Sequence, residues 1–384
     1  MKINKKSINS INKKILNLEK EKDYDDNLLV KAENLWLYFQ IGTQFNPKYK
    51  LILRNVNLDL YKGDVLGIIG ESGSGKTVLT NTFTGLNSDT QLISSGKIII
   101  DGYDVTQLKE TDWEFSGLRG RFISQVFQNP LSTLNPTQKI STQIIESMKI
   151  NNLLEEGDDG FEKALSFLKK VKINNAVEVM NMFPHQLSGG MMQRIVIVAI
   201  LACNPRVIIF DEPTTALDPS VQREIIDLIN DIKDEFDISI IFISHDIGLV
   251  SSIASRIAIM YAGKIIEEGL TREILNDPKH PYTWGLLSSM PEVSEGKELY
   301  SIPGSVPTSL LKINGDAFSP RSDYELKIDS YLSPPRYKVT KTHFVYSWLY
   351  DSSAHKFEKP ETIKRLEKKA INHRTKSKNS KEAK

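Results

Sequence analysis

The sequence predicts an α/β fold with a buried parallel sheet at its centre, and three observations carry that prediction. Val65–Ile69, Val207–Phe210 and Ile238–Ile243 are short, almost wholly apolar runs, the composition of strands covered on both faces. Helical stretches such as Gln222–Phe236 separate these runs, and strands that alternate with helices assemble into parallel sheets. The third observation is the loop Gly70-Glu71-Ser72-Gly73-Ser74-Gly75-Lys76-Thr77. It closes the first run, opens a helix expected over Val78–Thr84 and fits G-x-x-x-x-G-K-[ST] without a mismatch.

The chemistry of that loop follows from its residue types. Glycines let the backbone curl until successive N–H groups point inward, and with the positive end of the following helix they make a concave anion site suited to a phosphate chain. Lys76 can reach the β- and γ-phosphates as a point charge, and the Thr77 hydroxyl supplies one hard oxygen for Mg2+. This is an α/β core of the P-loop kind. Further on, Arg206–Glu212 reads as an apolar strand that delivers two carboxylates at its tip. Asp211 is placed to hold Mg2+, directly or through water, and Glu212 to polarise an attacking water as general base.

Composition bounds the rest. A chain of 384 residues allows two domains or one large domain with appendages, and a hydrophobic content of 40% fills a sizeable core. Lys and Arg number 49 against 48 Asp and Glu, a net charge of +1 that sets up no global field for nucleic acid. The lone cysteine, Cys203, rules out an internal disulfide and any cysteine-based metal site, and its apolar, helix-like surroundings give it a packing role. The longest apolar run, Ile195–Cys203, is far short of the roughly 20 residues that span a bilayer.

In chain order, residues 1–27 read as a flexible tail without the apolar core of a secretory signal, although Ile8, Ile11 and Ile15 have the spacing of a weak basic amphipathic helix. Leu28–Phe39, Leu51–Leu60 and Ser95–Ile100 alternate apolar and polar residues, which predicts a small antiparallel sheet flanking the loop, with the polar segment Gly42–Lys50 as a connection. From about 107 to 186, amphipathic segments such as Gln143–Leu154 and Gly160–Val171, joined by the acidic turn Glu155–Asp159, imply a helical insertion. Arg256–Met260 and Lys264–Glu268 flank Tyr261-Ala262-Gly263 as a hairpin. These elements place the catalytic unit at 28–278, an irregular, Pro-rich extension at 279–350, and a basic tail at 351–384.

Leu187-Ser188-Gly189-Gly190-Met191-Met192-Gln193-Arg194 resembles the signature of ATP-binding cassette (ABC) ATPases. Ser188 and the amides of Gly189 and Gly190 open a helix and so offer a second anion site, which the resemblance assigns to the γ-phosphate of a nucleotide held by the opposite cassette. The other motifs of the family follow in order. Gln128 in Phe127-Gln128-Asn129-Pro130 resembles the Q-loop glutamine that senses Mg2+ and γ-phosphate, Ala216-Leu217-Asp218 resembles the D-loop, and His245 in Ile243-Ser244-His245-Asp246 resembles the switch histidine. The family stacks the nucleobase on an aromatic of the early sheet. Tyr38, Phe39 and Tyr49 are available here, and Phe39 is the expected platform.

The second half is similar to one branch of that family. His280-Pro281-Tyr282-Thr283, Ile302-Pro303-Gly304-Ser305-Val306-Pro307 and Phe318-Ser319-Pro320-Arg321 resemble the C-terminal extension of oligopeptide and dipeptide importer ATPases, nearer the D-type subunit. The resemblance implies an ATP-hydrolysing subunit that drives oligopeptide uptake, peripheral on the cytoplasmic face of the cell membrane, with ATP and Mg2+ as ligands. It implies as partners a second ABC ATPase, of the F-type, in a heterodimer, two transmembrane permease subunits and an extracellular substrate-binding lipoprotein, and no nucleic acid. An importer of nickel or another small solute shares these motifs. A DNA-repair or chromosome-organising ATPase of the family needs a long coiled coil, for which Thr77 to Leu187 leaves no room. Many relatives carry cysteines around the Pro-Arg of the extension, some of them ligands of an iron–sulfur cluster. The matching positions here are Asp316 and Ser322, so no iron–sulfur cluster is expected.

Overall fold

The computed structural model describes residues 20, 24–43, 45–87, 90–151, 153–154, 157–215, 217–294 and 300–370. Most of the N-terminal tail, Ala216 of the D-loop, part of the acidic turn and residues 371–384 of the basic tail lie outside the described residues.

Alternating burial makes the first two strands, β1 (Leu28–Thr43) and β2 (Asn46–Tyr61), which pair antiparallel. They run further than the apolar alternation predicts. Pairing continues through Gly42↔Pro47 to Thr43↔Asn46, across the segment expected as a polar connection. Ladder hydrogen bonds need no buried face, so a polar sequence can extend a strand that hydrophobic periodicity does not mark. Next come β3 (Val65–Ile69), α1 (Lys76–Thr84), β4 (Gln91–Ile100) and β5 (Tyr103–Asp104). The antiparallel sheet has the order β2-β1-β4-β5.

A helical region follows, with α2 (Glu110–Ser116), α3 (Pro130–Thr133), α4 (Ile140–Ile150), α5 (Gly160–Lys170) and α6 (Ala176–Asn181). The insertion expected over about 107–186 is interrupted by β6 (Ile123–Val126), which pairs parallel with β7 (Val207–Asp211) at the edge of the core sheet. Ile123-Ser124-Gln125-Val126 is buried throughout but is only four residues long and half polar, so it shows neither strand nor helix periodicity. α7 (Gly189–Leu201) precedes β7 and is apolar on most of its surface, as a helix enclosed by neighbours is. Its last turn leads into Cys203, whose thiol donates to Ala199 O at 3.3 Å and is pushed up to about 11 by burial.

α8 (Pro219–Phe236) buries Ile225, Ile226, Leu228, Ile229 and Ile232, spaced three and four apart on one face. β8 (Ser239–Ser244), α9 (Ile247–Ser251), β9 (Arg256–Tyr261) and β10 (Lys264–Leu270) complete the core sheet. β9 and β10 do form the expected hairpin, but β9 also pairs parallel with β3, which builds the hairpin into the main sheet. Five parallel strands thus lie in the order β9-β3-β8-β7-β6, and every residue of β3, β7 and β8 is buried.

The extension is joined to this sheet through backbone. Its strands β11 (Arg336–Lys338) and β12 (Phe344–Tyr346) pair with each other, and β12 pairs with β10 through Glu267↔Val345 and Glu268↔Phe344. Fully buried Glu267 accepts from the backbone amides of Lys279 at 2.6 Å and His280 at 2.9 Å, and its Oε1 lies 2.7 Å from His343 Nε2. Of the two residues expected in place of cysteines, Asp316 Oδ1 accepts from Phe318 N at 3.0 Å and Ser322 Oγ from Tyr324 N at 3.1 Å, so both oxygens brace turns. Asp329, also buried here, accepts from Leu326 N at 2.7 Å. Burial raises its carboxyl to about 6, the Leu326 amide working against the rise and Asp316 and Glu325 adding to it. A raised folded-state value means that the stabilising contribution is complete below the ordinary carboxyl value and is lost as pH climbs through about 6. Asp329→Asn keeps an acceptor for Leu326 N and cannot titrate. Its melting temperature relative to the unmodified protein is therefore expected to rise between pH 4 and pH 7; a difference independent of pH would refute the assignment.

Candidate active site

The ends of three neighbouring parallel strands create the site. Register places Ile68 of β3 and Asp211 of β7 both opposite Ile243 of β8, so the loops leaving β3, β7 and β8 emerge at one edge. From β3 the chain enters Gly70–Thr77. Ser72 and Gly73 are exposed at its turn, Ser74 is fully buried, and α1 begins at Lys76 with Gly75 as N-cap. Lys76 Nζ is buried and donates to the carbonyls of Gly70 at 2.7 Å and Glu71 at 3.1 Å. Burial pulls its ammonium below the ordinary lysine value, against the opposing pull of Glu212, Asp211 and Glu71.

Asp211 ends β7, and its Oδ1 accepts from Thr77 Oγ1 at 3.2 Å. Burial raises the Asp211 carboxyl, Thr77 opposes the rise and Glu212 adds to it. The backbone then turns sharply at Glu212, which has a φ of +47° and donates its amide to Ile243 O at 3.0 Å. That conformation is sparsely populated for a non-glycine residue, and here it turns the side chain back across the strand ends. Four groups converge on the Glu212 carboxylate. Oε1 is 3.9 Å from Lys76 Nζ. Oε2 accepts from Gln128 Nε2 at 3.3 Å and Thr215 Oγ1 at 3.1 Å, and lies 3.5 Å from His245 Nδ1. These residues come from the loops after β3, β6, β7 and β8.

Other expected residues lie elsewhere. Ser188 Oγ caps α7 by accepting from Met191 N at 3.3 Å. Gly189 and Gly190 stand beside α8: a methyl group on either would meet Leu217 Cδ2 at 3.5 Å or Val221 Cγ1 at 2.9 Å. Among the described residues no hydrogen bond or ion pair joins Ser188, Gly189 or Gly190 to the phosphate loop. Asp218 caps α8 through Val221 N at 3.1 Å, and its hydrogen bond from Ser220 holds its carboxyl below the usual range. Phe39 packs on the core layer that Val78 of α1 also joins, whereas Tyr38 and Tyr49 line a separate cavity of about 590 Å3 with Leu92 and Leu311.

A match to the family model described as ABC transporter covers residues 53–215, and one to the Oligopeptide/dipeptide transporter, C-terminal region covers 266–328. The chain is 43% identical over 347 residues to the oligopeptide transport ATP-binding protein AmiE of Streptococcus pneumoniae, an alignment that spans 90% of this chain and 96% of that protein. This chain belongs to the ABC transporter ATP-binding proteins. It is likewise 44% identical to the oligopeptide transport ATP-binding protein OppD of Bacillus subtilis over 83% of this chain and 89% of that protein. The dipeptide transport ATP-binding protein DppD of Lactococcus lactis is 43% identical, over 81% and 89%. Among solved structures, the ATP-binding cassette MJ0796, a dimer bound to ADP and Pi, superposes with a TM-score of 0.54 at 27% identity, covering 64% of this chain and 99% of that one. The structure of cbiO1 from Clostridium perfringens gives a TM-score of 0.54 at 25% identity, over 70% and 98%.

These relatives correct one expectation. An F-type ATPase as heterodimer partner is overturned, because the dimeric relative is an ABC transporter cassette, and cassettes of this family pair with another ABC cassette. The geometry agrees with this: among the described residues Ser188 Oγ caps its own helix, and Gly189 and Gly190 stand beside Leu217 and Val221 rather than the phosphate loop.

Three residues at the ABC site escape motif reading. Thr215 bonds the Glu212 carboxylate, and its position three residues after Glu212 in a tight turn was the available signal. Arg321 and Tyr282 reach Glu71 from the extension, and no local signal links residues more than 200 positions apart. The loop's own glycines separate two physical demands. A methyl group at Gly70 would meet Met260 O at 2.1 Å and Ser74 Oγ at 2.8 Å, while at Gly73, with φ +80°, it would meet nothing within 4 Å. Gly73→Ala is therefore expected to cost only the left-handed backbone penalty, about 1–2 kcal/mol. Gly70→Ala carries no left-handed penalty but drives a methyl group into a backbone oxygen, so it should cost more, about 3 kcal/mol of overpacking, and abolish nucleotide binding. Denaturant unfolding of both variants measures the difference, and equal costs would show that close backbone approach does not explain Gly70.

Proposed function

We propose that this ABC cassette hydrolyses ATP to drive oligopeptide uptake from the cytoplasmic face of a membrane. The observation that carries the reading is the convergence of Lys76, Gln128, Thr215 and His245 on the Glu212 carboxylate at the end of β7. The named peptide-transport relatives and the matched C-terminal region support the substrate class. Among the described residues no helix is long and apolar enough to cross a membrane, so in this reading the channel belongs to separate membrane subunits.

Each side chain then has a task. Glu212, oriented by hydrogen bonds from Gln128 and Thr215, takes the proton of the attacking water. Lys76 exchanges the carbonyls of Gly70 and Glu71 for phosphate oxygens, a move of a point charge over a short distance. Thr77 Oγ1 and Asp211 Oδ1, 3.2 Å apart, are adjacent hard oxygens and suit a small divalent cation, with the Gln128 amide oxygen as a further donor. Mg2+ held by these oxygens would offset the negative charge that the phosphates bring to the site. His245 and the backbone amides of Gly73 and Gly75 stabilise charge on the γ-phosphate, and Phe39 stacks on the base. Ser188, Gly189, Gly190 and Asp218 face the nucleotide of a second cassette, so ATP joins the two and hydrolysis frees them.

Glu212→Gln is expected to bind ATP within a few-fold of the unmodified protein while turnover falls by about 10²–10⁴-fold, the usual contribution of a positioned base. Lys76→Ala should lose binding itself. Steady-state hydrolysis together with nucleotide binding decides, and a Glu212→Gln protein turning over near the normal rate would remove the assigned base. Pairing gives an independent check. In the Glu212→Gln background excess ATP should double the mass seen by light scattering, and adding Gly189→Asp should prevent this. An acidic residue suits a helix N-terminus but repels phosphate, so the added change should leave the melting temperature nearly unaltered. Pairing that survives Gly189→Asp would mean that the signature does not meet the second nucleotide.

A further inference from the structure

The C-terminal extension reaches the phosphate loop at Glu71 and holds it at two points. Arg321 Nη1 donates to Glu71 Oε2 at 2.9 Å, and the Tyr282 hydroxyl accepts from Glu71 N, also at 2.9 Å. Both holding groups are themselves fixed. Tyr282 is fully buried, with its ring 4.8 Å from that of Tyr261 and 5.3 Å from that of Phe318. The Arg321 side chain is 7% exposed, and its fork also reaches Pro303 O at 2.6 Å, Tyr261 OH at 3.2 Å, and Ile302 O and Gly304 O at 3.5 Å. Its guanidinium lies 5.7 Å above the Tyr261 ring and 5.9 Å from the Phe318 ring. A planar fork with this many fixed partners has one orientation, which a flexible ammonium could not reproduce.

Glu71 is also where Lys76 rests. The two carbonyls that accept from Lys76 Nζ belong to Gly70 and Glu71, on either side of the amide that Tyr282 holds. The extension therefore fixes the peptide unit whose carbonyls hold the phosphate-seeking lysine. We infer that Arg321 and Tyr282 are positioning residues for the phosphate loop, through which the C-terminal extension sets the nucleotide affinity of this cassette while leaving the hydrolytic carboxylate untouched. The inference rests on the reading of the loop as an ATP site. A loop held in its binding conformation spends less affinity on ordering, so release of the latch weakens binding without slowing the chemical step.

The test uses the full chain, with equilibrium binding of a fluorescent ATP analogue, steady-state hydrolysis of ATP, and thermal unfolding without nucleotide. Arg321→Met is expected to raise both Kd and KM about five- to tenfold, the effect of one lost charge-assisted contact, with kcat within twofold. Arg321→Lys should recover only part of the loss. Tyr282→Phe keeps the ring and removes only the acceptor, for about a two- to threefold rise in Kd. Arg321→Met combined with Glu71→Gln should bind no more weakly than the worse single variant, since both break one contact. A Kd within twofold of normal for Arg321→Met, additive effects in the double variant, or a fall in kcat that accompanies the rise in KM would each overturn the latch. Should Arg321→Met fail to fold, Tyr282→Phe decides alone, and an unchanged Kd there overturns it. Failure of the unmodified protein to bind ATP would instead bring down the ATP reading, and the latch with it; normal binding with unresponsive variants removes only the latch.

Discussion

Parallel pairing of β3, β8 and β7 in level register is the constraint on which the rest of the molecule depends. Because Ile68 and Asp211 both stand opposite Ile243, the loop at 70–77 and the carboxylates at 211–212 leave the sheet side by side, although more than 130 residues separate them along the chain. Complete burial of these strands makes the register stiff. A slip of one residue would turn an apolar set toward the wrong layer and separate Thr77 from Asp211. The groups gathered at these strand ends are therefore held by hydrophobic packing beneath them, in a core where Ile208, Phe210, Ile240 and Phe242 are all below 2% exposed.

Glu212 shows how local strain and global register combine. Its left-handed backbone is costly for a residue with a side chain, yet its amide completes a bond to Ile243 O and its carboxylate accepts from Gln128 and Thr215 with His245 3.5 Å away, groups from three loops. The sheet forces the turn, and the turn aims the group. Burial acts on the neighbours in opposite directions, raising the Asp211 carboxyl and lowering the Lys76 ammonium, so both are less costly to neutralise here than in water. A divalent cation and a phosphate would reverse both tendencies by restoring opposite charge beside each group.

The extension changes the meaning of a domain boundary in this protein. β12 continues the core sheet through β10, Glu267 ties the start of the extension to His343 near its end, and Arg321 returns to the phosphate loop. An element joined by backbone pairing, a buried carboxylate and a guanidinium fork shares the mechanical state of the loop it touches. The C-terminal region that matches the oligopeptide/dipeptide transporter family model thus touches the phosphate loop directly in this chain.

The sequence alone determined the class of fold, the phosphate loop, the paired carboxylates and the family, because each is written in consecutive residues with a local physical reason. Short apolar runs bury on both faces, glycines before Lys76 curl, and a Ser before Gly189 caps a helix. It also marked Gln128 and His245, but only through motifs whose meaning comes from relatives. What it could not determine were contacts whose partners are distant in sequence and whose residue types are common. β6 stayed hidden because a half-polar tetrapeptide becomes a strand only when β7 offers it an edge. The ladder beyond Gly42 formed without an apolar signal, Asp218 proved to be a helix cap in this conformation, and the fork from Arg321 to Glu71 spans 250 residues. Tertiary structure decided those because hydrogen bonds and ion pairs depend on where groups are brought, and only the register of the finished sheet fixes that.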